Sequence, residues 1–211
     1  MKLRILGITA AVAVALVAGS AVLGAPEKLK DPAKLTAKAP ETFRAKFDTT
    51  KGTFVIEVQR AWSPNGADRF YNLVKSGYYD GVKFFRVVPG FVVQWGIHGD
   101  PSIANTWLKA NVPDDAVKES NTRGFVTYAM SAAPNSRSVQ LFINLGDNAR
   151  LDARGFAPFG KVTDGMDVVD KLYGGYGEGL TKLQGRIAEE GNAFLEKNYP
   201  QLDGIKKATI E

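Results

Sequence analysis

From Thr42 onwards, hydrophobic and polar positions alternate in short runs, which predicts a fold built mainly from β-strands. Residues 43–47 (FRAKF) and 54–58 (FVIEV) alternate on either side of the polar segment 48–52 (DTTKG). Two alternating runs joined by a short turn that contains glycine are typical of a β-hairpin. Further strand-like runs lie at residues 82–88, 91–95, 124–130, 140–145, 156–162 and 205–210.

Helical spacing of hydrophobic residues appears in three places between these runs. Residues 67–74 form the first helical stripe, with Ser63-Pro64 as its N-cap and first-turn proline and Gly77 as its C-terminal stop. A second helix is predicted over 164–173, and 183–199 is amphipathic but broken by a glycine. Many short strands with two or three helices in one domain predict a closed barrel that the helices cap.

The first 24 residues are typical of an export signal. Lys2 and Arg4 precede an uncharged run, residues 5–24, that is rich in Ala, Val and Leu. Such a run can also just span a bilayer, so an uncleaved anchor is the alternative. Either outcome places the folded part outside the cytoplasm, and we expect a periplasmic or extracellular protein. It contacts a membrane only if residues 1–24 are retained.

Residues 25–41 form a Lys/Pro-rich linker between this signal and the folded domain. The segment 25–40 contains three prolines, four lysines and no aromatic residue. It has little apolar surface to bury, which predicts a solvated tether. The chain therefore divides into a signal or anchor (1–24), a linker (25–41) and one domain (42–211). The segment 98–123 of that domain is polar and is predicted to be irregular.

Composition excludes several kinds of chemistry. The 211 residues include no cysteine and one histidine, His98. A thiol nucleophile, a Cys-ligated zinc, a multi-His metal site and a Ser-His-Asp triad are therefore not expected. The net charge is +5, but no basic block is interleaved with aromatic residues, so we expect no nucleic-acid binding. We expect no cofactor and no metal.

Three ordered motifs resemble the cyclophilin family of peptidyl-prolyl isomerases. The first is residues 84–94 (FFRVVPGFVVQ), and the second is 124–130 (GFVTYAM) followed by 134–135 (PN) and 138–144 (SVQLFIN). The third comprises 148–152 (NARLD), 156–162 (FAPFGKV) and 165–169 (GMDVV). The resemblance covers about residues 42–210. It implies an eight-stranded antiparallel β-barrel capped by helices, in which the last strand returns to the first.

The resemblance also implies a set of site residues. Arg86 matches the catalytic arginine of the family, and the remaining matches surround the bound proline-containing peptide. The apolar pocket for the proline ring corresponds to Phe91, Val92, Phe142 and Leu151, with Phe156 at a position where many members have histidine. The polar flanking groups correspond to Gln94 and Gln140, and the segment whose backbone holds the peptide corresponds to Ala129 and Met130.

These residues suit rotation about an X-Pro bond, because that reaction makes and breaks no covalent bond. Its barrier is the lost resonance of the amide. An apolar pocket fixes the proline ring, and a rigid, permanently charged guanidinium stabilises the twisted amide. The expected function is peptidyl-prolyl cis-trans isomerisation that assists the folding of exported proteins. Expected partners are proline-containing peptides and unfolded exported proteins, and the expected state is a monomer.

Several positions depart from the family pattern. Phe85 stands where most members have histidine, Trp95 replaces a glycine, and Met130 replaces a frequent asparagine. Arg150 stands where some members have tryptophan. The first three favour an alternative function, namely a catalytically weak binding module or chaperone for proline-containing segments. A membrane-tethered form is a further alternative.

Overall fold

The computed structural model describes residues 27–211, so the signal predicted for 1–24 lies outside the described residues. Among residues 27–211, no helix is long and apolar enough to cross a membrane. The strands are β1 (Thr42–Thr49), β2 (Gly52–Gln59), β3 (Arg86–Val88), β4 (Val92–Trp95), β5 (Phe125–Tyr128), β6 (Leu141–Asn144), β7 (Pro158–Asp164) and β8 (Ile205–Ile210). The helices are α1 (Pro64–Lys75), α2 (Pro101–Trp107), α3 (Met166–Asp170) and α4 (Gln184–Asn198).

All eight strands belong to one curled antiparallel sheet, in the order β3-β4-β6-β5-β7-β2-β1-β8. The predicted hairpin is β1–β2, and the expected return of the last strand is confirmed, since β8 pairs with β1. The prediction of a closed barrel is wrong, because β3 and β8 remain at opposite edges of an open half-barrel. The residues just before β3 contact the start of β8 through a bridge between Lys83 and Gly204. Backbone hydrogen bonds also join them, from Gly81 N–H to Ile205, from Ile205 N–H to Val82 and from Phe84 N–H to Asp203.

The main core lies between the curled sheet and α1. Its largest members include Phe47, Phe54, Phe70 and Phe159, which are fully buried. Trp95 joins this core, with its ring centroid 6.1 Å from that of Phe47. The departure from the family pattern at Trp95 therefore contributes to packing inside the half-barrel.

Helix α1 begins where the sequence predicts but is capped by a remote residue. The hydroxyl of Ser63 does not cap the helix and instead donates a hydrogen bond to the Asp115 carboxylate at 2.6 Å. That carboxylate accepts the free N–H groups of Asn65 and Gly66 at 3.1 and 2.9 Å. Its other partner is Arg137, which is almost fully buried, at 3.0 Å. A loop 49 residues away along the chain thus completes the first turn of α1.

Three predicted elements differ in extent from the observed ones. The segment 98–123 contains α2, whose start is marked by an Asp100-Pro101 cap that the sequence interpretation overlooked. The second predicted helix, 164–173, shortens to α3. The strand predicted over 82–88 is regular only in β3, whereas the break predicted in 183–199 is confirmed at Gly191 inside α4.

The expectation of a solvated tether over 25–40 is wrong for residues 27–39, which lie against the domain. Leu29, in a short 3-10 turn, is fully buried in the main core. Its carbonyl accepts a hydrogen bond from Trp107 Nε1 at 2.7 Å, and the Ala39 N–H donates to Asp68 at 2.9 Å. The Lys-rich segment contains two buried apolar residues, Leu29 and Ala39. Helix α2, which supplies Trp107, the partner of Leu29, was not predicted.

A second, smaller core lies outside the half-barrel. It is built from α2, α4, the loop between α3 and α4, and the residue that precedes Arg86. Its buried members are Phe85, Ile97, Ala104, Leu180, Ile187, Ala188, Phe194, Leu195 and Leu202. We call this group the second cluster. Phe85 thus packs away from the barrel interior, against the C-terminal segment.

We predict that Asp115→Asn lowers the free energy of unfolding by about 1–3 kcal/mol at pH 7, because Asp115 serves both the α1 cap and buried Arg137. Burial alone would raise the pKa of the Asp115 carboxyl, but hydrogen bonds from Ser63 and the α1 backbone lower it overall below 3.8. The pKa of Asp115 is therefore lower in the folded protein than in the unfolded chain. This stabilisation is complete at pH values above the pKa of the unfolded chain, and it is lost as the pH falls through the pKa of the folded protein.

Denaturant titrations of wild type and Asp115→Asn between pH 7 and pH 2.5 check this prediction. The difference in free energy of unfolding between wild type and Asp115→Asn should decrease below about pH 4. Asp48→Asn is the control, since the Asp48 carboxylate is 44% exposed. A difference in free energy of unfolding that stays constant with pH would show that the ionised Asp115 carboxylate is not the source of the stabilisation.

Candidate functional site

All ten predicted site residues line one open cleft of about 550 Å³. They come from β3, β4 and β6, from the loops that precede β4 and β6 or follow β5, and from the 3-10 turn Ala149–Arg154 and the residues after it. The residues brought together are Arg86, Phe91, Val92, Gln94, Ala129, Met130, Gln140, Phe142, Leu151 and Phe156. The structure shows that these ten residues lie together, whereas the individual roles assigned to them remain predictions.

Side-chain alternation along β4 separates the cleft from the main core. Val93 and Trp95 belong to the main core, whereas Val92 and Gln94 line the cleft. Successive side chains of a strand point to opposite faces, so a single short strand serves both. β4 pairs with β6, and Gln94 lies directly opposite Phe142. This register places one polar and one aromatic residue side by side at the cleft.

The floor of the cleft is an apolar cluster separate from the other two cores. Val92, Phe142 and Leu151 are its buried members, and Phe91, Ala129 and Phe156 pack against them. The rings of Phe142 and Phe156 meet edge to face, with centroids 5.8 Å apart. An apolar floor of this kind holds a compact apolar ring and excludes water from around it.

A relay of hydrogen bonds forms the polar edge of the cleft. Arg86 and Gln94 face each other across β3 and β4, and Arg86 Nη1 donates to Gln94 Oε1 at 2.9 Å. Gln94 Nε2 then donates to Gln140 Oε1 at 2.9 Å. The guanidinium carbon also lies 5.3 Å from the centroid of the Phe91 ring. The cationic group is therefore held at the boundary between the relay and the apolar floor.

Glu178 contacts Arg86 from the opposite side, and the sequence interpretation did not identify it. Arg86 Nε and Nη2 donate to the two oxygens of Glu178 at 2.9 and 2.7 Å. These hydrogen bonds from Arg86 hold the pKa of Glu178 below its usual value, so the carboxylate is ionised at neutral pH. Glu178 lies in the glycine-rich loop 174–179, where no motif marked it.

Asn121, which is fully buried, joins the chain segments that carry the cleft residues Leu151 and Phe156. Its Nδ2 donates to Asp152 at 2.7 Å and to the Phe156 carbonyl at 2.8 Å. Its Oδ1 accepts from Thr127 on β5 at 2.8 Å. Because Asp152 follows Leu151, the Asn121 amide positions both Leu151 and Phe156. The sequence interpretation placed Asn121 in an irregular segment, and only a buried amide in contact with three elements reveals its role.

Positions that depart from the family pattern divide into two groups. Phe85 and Trp95 lie in the second cluster and the main core, outside the cleft. Met130 and Phe156 line the cleft. His98 is buried elsewhere, and burial lowers its pKa. Lining residues that were not predicted are Leu108, Ser131, Ser136, Ser138, Arg154 and Gln184.

Within residues 27–211, no group of three or more His, Asp or Glu side chains lies close enough together to hold a metal ion. The cleft offers two arginines (Arg86 and Arg154), neutral amides and hydroxyls, and apolar groups. Such a set can orient a neutral peptide and stabilise a change in charge distribution along it.

Comparison with known proteins identifies relatives over the same region. The family model described as cyclophilin type peptidyl-prolyl cis-trans isomerase/CLD matches residues 44–189. The chain is 35% identical over 143 residues to a peptidyl-prolyl cis-trans isomerase of Acinetobacter baylyi, covering 65% of this chain and 76% of that protein. It is 34% identical over 136 residues to peptidyl-prolyl cis-trans isomerase B of Escherichia coli, covering 61% and 82% respectively.

Solved structures show the same fold. The crystal structure of a cyclophilin type peptidyl-prolyl cis-trans isomerase from Cryptosporidium parvum superposes with a TM-score of 0.58 at 20% identity. The match covers 81% of this chain and 98% of that one. The arrangement of the curled sheet and its helices is therefore shared with that structure.

We predict that Asn121→Ala weakens binding of a proline-containing tetrapeptide, because the loops that carry Leu151 and Phe156 lose their common hydrogen-bond partner. Unfolding should become easier by about 1–3 kcal/mol, since the partners of a buried amide are left unsatisfied. Peptide affinity from NMR titration and the midpoint of denaturant unfolding measure the two effects. Asn105→Ala, at an exposed position of α2, is the control. An unchanged peptide affinity would show that Asn121 does not position Leu151 and Phe156 for binding.

Proposed function

This chain belongs to the family of cyclophilin-type peptidyl-prolyl cis-trans isomerases, and we propose that the cleft is its active site, with Arg86 as the catalytic residue. The family and the matching relatives establish the reaction, which is rotation about the bond that precedes proline. The observation that carries the proposal is the position of the Arg86 guanidinium, between an apolar floor and a relay of two glutamines.

The reaction requires stabilisation of a twisted amide. The X-Pro bond has a barrier of about 18–20 kcal/mol because twisting removes the resonance between nitrogen and carbonyl. In the twisted state the lone pair of the prolyl nitrogen becomes available as a hydrogen-bond acceptor. A donor that reaches this nitrogen stabilises the twisted state more than either planar state, which is the condition for catalysis.

The apolar floor fixes the proline ring while the rest of the amide rotates. Val92, Phe142 and Leu151 are buried and separate from the main core, so their exposed faces are directed to the cleft rather than to packing. Phe91 and Phe156 border this floor. Ala129 and Met130 lie beside it, and the Ala129 N–H is already bonded to the Gln140 carbonyl at 2.9 Å. The peptide backbone then binds along this edge.

Arg86 supplies the donor. Its guanidinium remains charged at any physiological pH, and its planar fork keeps the N–H directions fixed. Gln94 orients one edge of the fork, and Gln140 continues the relay toward the segment 129–130. A charge-assisted hydrogen bond contributes roughly 1.5–3 kcal/mol. The remainder of the rate enhancement comes from the floor and the backbone contacts.

The alternative of a catalytically weak binding module depended on Phe85, Trp95 and Met130. Phe85 and Trp95 pack in cores outside the cleft, so they do not alter the surface that meets the substrate. Of these three residues, only Met130 lines the cleft. The polar relay and the arginine are intact, which favours the enzyme.

We propose further that the protein acts on exported polypeptides. The support is the composition of residues 1–24, a short basic segment followed by an uncharged Ala-rich run. Unfolded exported chains expose X-Pro bonds that isomerise slowly, over tens to hundreds of seconds. An isomerase located with them accelerates that step.

We predict that the protein recovered from outside the cytoplasm begins after residue 24, near the end of the uncharged run. Intact-mass measurement of this protein, with peptide mapping of its N-terminus, determines the start. A chain that retains Met1 and fractionates with membranes would support the tethered form instead. A chain found only in the cytoplasm would contradict export.

We predict that Arg86→Ala lowers kcat/KM for a proline tetrapeptide roughly 10- to 100-fold, the equivalent of losing a charged hydrogen bond in the transition state. The exchange rate is measured by NMR on the peptide. Arg44→Ala is the matched control, since Arg44 forms an exposed ion pair with Asp164 on the opposite part of the sheet. An Arg86→Ala protein with the wild-type rate would exclude Arg86 as the catalytic residue.

A further inference from the structure

The segment between α3 and β8 contributes Leu172 to the main core, and its later part forms part of the cleft. It comprises the loop 171–183 and α4. Glu178 bonds to Arg86, and Gln184 lines the cleft. The second cluster holds this segment against α2 and the start of β3. Its contribution to the cleft therefore depends on how firmly the loop is anchored.

Glu178 lies between two anchors. Tyr176, two residues before it, contacts the rings of Tyr173 and Tyr199 at centroid distances of 5.1 Å each. Leu180, two residues after it, is fully buried in the second cluster. The Thr181 hydroxyl donates to Glu178 Oε2 at 2.8 Å. The carboxylate is thus placed by packing on both sides and oriented by a hydrogen bond of its own.

The same cluster ties the loop to the catalytic arginine along the chain. Phe85 is buried in the second cluster, and Arg86 is the next residue. α4 is fixed in turn at its break, where a Cβ on Gly191 would lie 2.2 Å from the Gly99 carbonyl oxygen and where Asn192 N–H donates to that oxygen at 3.0 Å. One packing unit therefore sets the positions of both Arg86 and Glu178.

The geometry at Arg86 leaves part of the guanidinium free. Of its five N–H groups, Nε–H and one on Nη2 bond to Glu178, and one on Nη1 bonds to Gln94. Three bonds to a planar group determine its plane and its rotation. One N–H on each of Nη1 and Nη2 has no partner among residues 27–211 and is available to a substrate.

We propose that Glu178 is a positioning residue for this reaction, which holds the Arg86 guanidinium in the orientation that presents its two free N–H groups to the prolyl amide. This inference rests on the proposed role of Arg86. Arginine side chains have large rotamer entropy, and a fork that is already fixed loses less of it when the substrate is twisted. Glu178 thus acts through Arg86 and does not touch the substrate.

The carboxylate also partly neutralises the cation, so the sign of its effect is the decisive observation. If Glu178 positions Arg86, removing it lowers kcat while KM changes little, because Arg86 acts in the twisted state. If the main effect of Glu178 were to neutralise the charge of Arg86, removing the carboxylate would raise kcat. Side-on contact at Nε and Nη2 leaves the free N–H groups unblocked, which favours positioning.

The experiment compares Glu178→Ala and Glu178→Gln in the full chain, alone and combined with Arg86→Ala. We expect kcat to fall roughly three- to tenfold in Glu178→Ala and less in Glu178→Gln, which keeps one acceptor for the fork. In the Arg86→Ala background the same change should have no further effect, as a residue that acts only through Arg86 requires. Glu189→Ala, at an exposed position of α4, is the matched control.

A second measurement does not depend on activity. The Nε–H signal of Arg86 in 15N NMR, assigned by its loss in Arg86→Lys, should exchange slowly in wild type and faster in Glu178→Ala. An Arg86→Ala protein with the wild-type rate would remove the catalytic role of Arg86, while the Nε–H signal would still report the contact. A Glu178→Ala rate equal to or above wild type overturns the positioning role. An equal loss in the Arg86→Ala background also overturns it.

Discussion

The division of β4 between two environments is the constraint on which this structure depends. Four consecutive residues are buried, yet Val93 and Trp95 serve the core while Val92 and Gln94 serve the cleft. Alternation by itself would place Gln94 on a buried face with an unsatisfied amide, which is costly. Arg86 on β3 and Gln140 before β6 supply its partners. The hydrogen bonds that satisfy Gln94 are therefore the same ones that orient the cation.

An open sheet makes this arrangement possible. β3 is an edge strand, since only β4 pairs with it in the sheet, and the contacts with β8 are made by the residues that precede β3. An edge strand has one side free of sheet partners, and here the C-terminal segment occupies the region next to it through the second cluster. Arg86 is consequently reached from two directions, by Gln94 within the sheet and by Glu178 from outside it. A closed barrel would pair β3 on both sides and change this access.

The parts of the fold that the sequence predicts are those in which local pattern and tertiary contact agree. The β1–β2 hairpin, α1 and the break at Gly191 each carry a local signal, and each is observed. The ten site residues meet at one cleft because the motifs that carry them lie on adjoining elements. Leu29, Asn121 and Glu178 were missed, since each acts through a contact with a residue at least 35 positions away along the chain. No periodicity or spacing encodes such a contact.

Phe85 packs the chain next to Arg86 against the C-terminal segment. Its aromatic ring is buried in the second cluster and makes no contribution to the cleft surface. Leu180, Phe194 and Leu195 belong to the same cluster. A phenylalanine side chain is compatible with this apolar cluster. Phe85, the residue next to Arg86, and the segment that carries Glu178 are therefore packed in one cluster outside the half-barrel.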